Sequence, residues 1–166
     1  MGCGMIENMK EIKTNAMRRL EQAHIKYETL YYDIEDEKFS ATAISDELGV
    51  DYASSFKTLA LKHGHDLYLL VISANRSLDL KKSAKAVGVK DLEMIRVKDL
   101  LKEVGFERGN VSPLGVIKKH QVYFDKECLR HDKIIISGAK KGISLRVDRG
   151  ELLEFLKAKV GDLVND

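Results

Sequence analysis

Proline occurs once in this chain, at Pro113, and cysteine twice, at Cys3 and Cys128. The two cysteines supply no metal-ligand spacing, and no secretory segment precedes them, so a reduced, cytoplasmic setting is expected. No apolar run approaches the roughly 20 residues that a membrane-crossing helix needs, which excludes such a span. Charge of one sign is lacking too: 28 Lys and Arg face 26 Asp and Glu, leaving a formal charge of +2. A balance so close to neutral does not announce a nucleic-acid binder, and any electrostatic argument must rest on where the lysines cluster. There is no Walker loop, dinucleotide fingerprint, zinc motif or nucleophile elbow, and no spacing marks a Ser, His and Asp as a triad. Repeats, low-complexity tracts and linkers are absent as well. The 166 residues therefore read as one domain, and 44% hydrophobic content is enough for a sizeable core. The opening Met-Gly-Cys-Gly-Met is no myristoylation signal, because Ile6 stands where Ser or Thr is required. Residues 1-4 are expected to form a frayed, disordered N-terminal extension and 5-166 the domain.

What is present alternates between two periodicities. Met9, Ile12, Ala16, Leu20 and Ala23 recur at helical spacing from Glu7 to His24, and Tyr27 to Tyr32 switches to strand-favouring residues. Ser40 is placed to cap a short helix that runs through Leu48 and stops at Gly49. Phe56 to Lys62 and Leu67 to Ser73 form a hairpin pattern around His63-Gly64-His65-Asp66, and those two histidines read as solvated loop rather than metal ligands. Asp79 caps a helix from Leu80 to Val87, Leu92 to Ile95 suits a short strand, and Val97 to Val104 reads as a helix ending at Gly105. Val122 to Phe124, Lys133 to Ser137 and Ile143 to Val147 read as strands, with Ser137 to Gly142 joining the last two. Asp148 begins a final helix whose apolar face uses Leu152, Leu153, Phe155, Leu156 and Val160. The pattern predicts a single mixed α+β domain, with helices around a largely antiparallel sheet.

Phe106 to Gly115 is the stretch around which this pattern is arranged. It holds the single proline, with Gly109 four positions before it and Gly115 two after it. Proline fixes φ while glycine opens conformations closed to other residues, so such a loop can aim backbone groups at a small polar ligand or an oxyanion. The same composition also suits an ordinary surface connection. Lys57 lies inside the strand pattern Phe56-Lys57-Thr58-Leu59-Ala60 and must face either solvent or an internal cleft. Tyr31 and Tyr32 read as sheet aromatics. Lys81, Lys82 and Lys85 share one helix, Lys118 and Lys119 follow the central loop, and Lys140 and Lys141 lie between glycines. If these converge they form a phosphate-binding rim; otherwise they are solvated faces. Cys128 has no basic partner at a telling spacing and reads as a packing residue.

Taken in order, Phe56-Lys57-Thr58-Leu59, Leu78-Asp79-Leu80-Lys81-Lys82, Gly109 through Gly115 and Ser137-Gly138-Ala139-Lys140-Lys141-Gly142 resemble the YbaK/EbsC family of Cys-tRNA(Pro) deacylases, relatives of the editing domain of prolyl-tRNA synthetase. The resemblance spans about Tyr27 to Val164. It implies a compact editing fold on a mostly antiparallel, barrel-like sheet, acting in trans on mischarged tRNA(Pro), with no metal or cofactor and with prolyl-tRNA synthetase as partner. It also implies catalytic roles for Lys57 and for the Gly-x-x-x-Pro loop of Gly109 and Pro113. Substrate contacts are implied for Tyr32, Asn110, Val111, Ser112, Ser137, Gly138 and Ser144, and tRNA contacts are expected of Lys81, Lys82, Lys118, Lys119, Lys140 and Lys141. In the mechanism proposed for this family, the thiol of the mischarged cysteine attacks its own ester carbonyl and leaves as a thiolactone. One departure bears on substrate: close relatives carry an aspartate where this chain has Ser144. An alanyl- or other small-amino-acid-specific deacylase of the same fold therefore stays open, as does a non-catalytic module that binds tRNA or the synthetase.

Overall fold

The structure is a computed structural model that describes the backbone of residues 2–166 and the side chains of residues 6–166. The expected N-terminal extension, residues 1-4, lies outside the described side chains. The helical pattern at the start of the chain divides into α1 (Gly2–Met9) and α2 (Asn15–Gln22). The cause is Thr14, whose Oγ1 accepts the Met17 N–H at 3.2 Å and so starts a second helix rather than continuing the first. β1 (Tyr27–Tyr31) follows, then α3 (Ala41–Leu48) between the caps Ser40 and Gly49. β2 (Phe56–His63) and β3 (Asp66–Ser73) form the expected hairpin, turning at Gly64 with φ +61°. Next come α4 (Leu80–Val87), β4 (Glu93–Met94) and α5 (Leu100–Val104), the last preceded by a 3-10 turn over Val97–Asp99. β5 (Gln121–Asp125), β6 (Lys133–Lys140), β7 (Ile143–Asp148), α6 (Arg149–Leu156) and β8 (Lys159–Gly161) complete the chain.

The strands form two sheets rather than one barrel. One has three antiparallel strands in the order β1-β7-β6, and the other has five in the order β4-β2-β3-β5-β8. In the larger sheet β3–β5 and β5–β8 are parallel, because each connection makes a long excursion and brings the chain back in the same direction. The two sheets meet through a parallel bridge between Ser55 and Ile135, where the Ile135 N–H donates to Ser54 O at 2.9 Å. A barrel-like closure, expected from the resemblance, is thus corrected to two sheets joined at one seam.

β3 is buried along nearly its whole length because both of its faces are covered. Leu69 and Val71 point into a core shared with Leu20, Phe124, Ile136 and Leu145, while Leu70 and Ile72 point into a second core with Ala84, Tyr123 and Leu163. Each fully buried Leu or Ile here contributes about 1.5–3 kcal/mol relative to exposure. Two boundaries differ from the expectation. β6 runs on to Lys140 through a bulge at which Ala139 takes φ +71°, so the turn shrinks to Lys141 and Gly142. α6 ends where Lys157 takes φ +53°, which moves Val160 from the helix to β8.

Candidate active site

The seam between the sheets opens into a cleft of about 650 Å³. β4 pairs only with Leu61 and Lys62 of β2, and the bridge to β6 lies at Ser55, so the β2 edge between them lines the cleft. This is where Lys57 sits. Its half-buried Nζ donates to Ala74 O at 3.1 Å, and burial pulls its pKa below the usual lysine value. Arg108 is the other charged residue on the wall, and no carboxylate lines the cleft among the described residues. A cation held with a neutral partner keeps most of its field for whatever enters.

Facing β2 is the central loop. Gly109 has φ +91°, and a Cβ built there would lie 2.6 Å from the Phe39 ring, so conformation and space both demand glycine. Val111 also lines the cleft. Ser112 and Pro113 are buried behind it rather than on its wall. Ser112 acts as a clip: its Oγ donates to Ser137 O at 2.8 Å and accepts the Leu114 N–H at 3.2 Å. Arg19 Nη1 adds a second mooring by donating to Leu114 O at 2.5 Å. Asn110 lines an adjoining groove instead.

The third wall comes from the smaller sheet. Ser137 and Ser144 are cross-strand partners in β6 and β7, and both line the cleft. Gly138 is buried beneath, where a Cβ would meet Ile143 Cγ2 at 2.6 Å. Of the two adjacent tyrosines it is Tyr32 that lines the cleft, its N–H donating to Gly142 O at 3.0 Å and its ring 6.3 Å from that of Phe39. Burial raises the Tyr32 pKa and keeps the phenol protonated.

The lysines do not behave as one set. Lys82 is bound to Asp166 at 2.7 Å, to Asp162 at 3.7 Å and to Val164 O at 3.2 Å, and Lys118 pairs with Glu103 at 3.4 Å. Lys81, Lys119 and Lys140 are exposed. Lys141 pairs with Asp36 and lies 4.7 Å over the Phe39 ring, close to the cleft. Cys128 is fully buried and its thiol is pushed up to about 11, which removes it as a nucleophile at neutral pH. Among the described residues no group of three or more His, Cys, Asp or Glu is placed to hold a metal, and no helix is long and apolar enough to cross a membrane.

Among the cleft residues to which sequence reasoning gives no role of their own, Phe39, Arg108 and Thr58 stand out. Phe39 gives no periodic signal because it lies in an irregular segment between β1 and α3, and Arg108 is hidden among surface charges. Thr58 stands in the strand and in the Phe56-Lys57-Thr58-Leu59 motif without a role of its own, yet its buried Oγ1 has no hydrogen-bond partner among the described residues. Buried hydroxyls are ordinarily satisfied, so this one is an exception in the wall of the cleft.

The family model for the aminoacyl-tRNA editing domain matches residues 35–155. The chain is 32% identical over 96% of its length to a protein of Enterococcus faecalis, covering 98% of that protein, which is named "Putative Cys-tRNA(Pro)/Cys-tRNA(Cys) deacylase EbsC". Two crystal structures share the fold. One, described as a "putative trans-editing enzyme for prolyl tRNA synthetase", is 24% identical with TM-score 0.76, over 93% of this chain and 99% of that one. The other, of a hypothetical protein, is 19% identical with TM-score 0.82, over 92% and 100%.

Proposed function

The chain belongs to the aminoacyl-tRNA editing domain family, and from that membership we propose that it is a trans-acting deacylase that releases the amino acid from mischarged Cys-tRNA(Pro). The observation that carries the proposal is the juxtaposition, across one cleft, of a half-buried Lys57 with the moored, glycine-dependent loop at Gly109. An aminoacyl ester is already activated, so orientation supplies most of what is needed. With a cysteinyl ester the substrate sulfur attacks its own carbonyl carbon, the C–O bond to the ribose breaks, and the ribose oxygen takes up a proton. Holding an internal nucleophile in attacking geometry is worth about 7–11 kcal/mol in favourable cases, and one backbone donor at the oxyanion about 3 kcal/mol. Lys57 acts as a fixed positive charge beside the ester or the terminal phosphate, Gly109 and Val111 set the loop backbone against the acyl group, and Pro113 stiffens that loop from behind.

Ser144 favours a second reading at the level of substrate. With the small hydroxyl residue Ser137 opposite and no carboxylate on the wall among the described residues, no acidic group there reads the acyl side chain, so alanyl and other small aminoacyl esters are candidates too. Selectivity for tRNA(Pro) is then supplied by prolyl-tRNA synthetase as partner. The test is deacylation of Cys-tRNA(Pro) and Ala-tRNA(Pro) side by side, with wild-type protein and Lys57→Ala. Rapid loss of the cysteinyl ester, abolished by the substitution, supports the leading reading, and preferential loss of the alanyl ester moves the substrate. Binding of tRNA without cleavage of either ester would replace the enzyme with a binding module.

A further inference from the structure

Next to the cleft lies a second concavity, a groove of about 600 Å³ that shares Val97 and Arg108 with it. Its floor carries Val97 and Leu101, one helical turn apart and 61% and 59% exposed. Exposed aliphatic side chains so placed offer a flat apolar contact next to cations. Lys98 and Arg108, both exposed, stand beside them. Two acidic residues also line the groove. Asp36 is matched by Lys141, which leaves Lys98 and Arg108 against Glu107 and a surplus of positive charge. Asn110 also lines the groove, its Oδ1 turned inward and buried, with no hydrogen-bond partner among the described residues.

We propose that this groove receives the single-stranded nucleotides that precede the terminal nucleoside of the substrate, with Lys98 and Arg108 on phosphates and Val97 and Leu101 under a base. This rests on the deacylase reading, because an ester seated in the cleft must have its polynucleotide leave through a neighbouring opening. A cationic groove that tracks the backbone, beside a surface against which bases can lie, gives single-strand binding that is tolerant of sequence; here the aliphatic pair stands where aromatic side chains commonly serve.

The test compares two substrates, an aminoacyl ester of adenosine alone and the same ester carrying two further nucleotides. The longer ester is expected to have a KM lower by about ten-fold in the wild type at low salt. Lys98→Met is expected to remove most of that advantage and to flatten the salt dependence of binding by about 0.7 in logarithmic slope, the loss of one phosphate contact. Lys98→Arg is expected to retain the advantage. Binding of the same oligonucleotide without its acyl group, followed by fluorescence anisotropy, separates the two readings. If no ester is cleaved but Lys98→Met weakens this binding, the deacylase reading falls and the groove stands. If wild type and Lys98→Met bind the oligonucleotide equally, or lower KM equally for the longer ester, the groove is overturned whatever the turnover.

Discussion

Lys57 in the cleft and Lys82 on α4 are both partly buried lysines that reach a backbone carbonyl, and they part company in their surroundings. Lys82 meets Asp162 and Asp166 and ties the C-terminal tail to α4, helped by Ser83 Oγ donating to Leu163 O at 2.9 Å. Its hydrogen bond to Asp166 raises its pKa. Among the described residues Lys57 has only Ala74 O, and burial lowers its pKa. A lysine that serves the fold is surrounded by carboxylates, whereas one left beside a cavity without them costs stability and keeps its charge for a ligand. Active sites are where such unmatched groups collect.

The sharpest way to break this contrast is to remove each cation. Lys57→Ala is expected to cut deacylation by a factor on the order of 10² or more, since one preorganised electrostatic contact is worth that much in a water-poor site. The same change raises Tm slightly, solvent screening of a half-exposed cation holding the gain below about 1 kcal/mol. Lys82→Ala is expected to do the reverse, lowering Tm while the rate constant holds. Equal loss of rate in both variants would dissolve the distinction.

Gly109→Ala comes next. The left-handed backbone costs about 1–3 kcal/mol for a non-glycine residue, and the clash with Phe39 adds to it. Activity should fall with Tm, and Phe39→Leu in the same chain should restore part of the stability by making room. Ser112→Ala removes the clip between the loop and β6, expected to cost about 1 kcal/mol in denaturant unfolding and to lower the rate more than the affinity. A loop that holds its position without the clip would show neither change.

The smallest effect lies in pH dependence. The hydrogen bond from Lys82 lowers the folded pKa of Asp166, so this stabilisation is present above the unfolded carboxylate value and is lost as pH falls through the lower folded one. Lys82 itself, with its pKa raised, keeps its stabilisation below the unfolded lysine value and loses it as pH rises through the higher folded one. Lys57 has the opposite sign to Lys82. Its folded pKa is lowered, so burial of its charge opposes folding until pH rises through that lowered value and relieves the penalty. Tm followed against pH in wild type, Asp166→Asn and Lys57→Met should separate the three contributions; a wild-type acid limb identical to that of Asp166→Asn would remove the first.

Most helices and strands were legible in the sequence because their causes are local. Ser40 and Gly49 bracket α3, Asp79 and Gly88 bracket α4, and the two runs around Gly64 form a hairpin, each from residues within a few positions of one another. The central loop was legible for the same reason, through a single proline and two glycines. The break at Thr14 was missed because a helical hydrophobic spacing continues across it, while one side-chain hydrogen bond decides where the new helix starts. Long-range relations had no local trace. Nothing near Ser55 or Ile135 says that two sheets will touch there, that Thr58 will be left with a buried, unpartnered hydroxyl in the cleft wall, or that Lys82 will find the Asp166 carboxylate while Lys57 finds no carboxylate among the described residues. Backbone preference and capping act over a few residues and are written in order along the chain. Which charges are matched, which edges stay open and where a cleft forms depend on how sheets dock, and only the tertiary structure decided them.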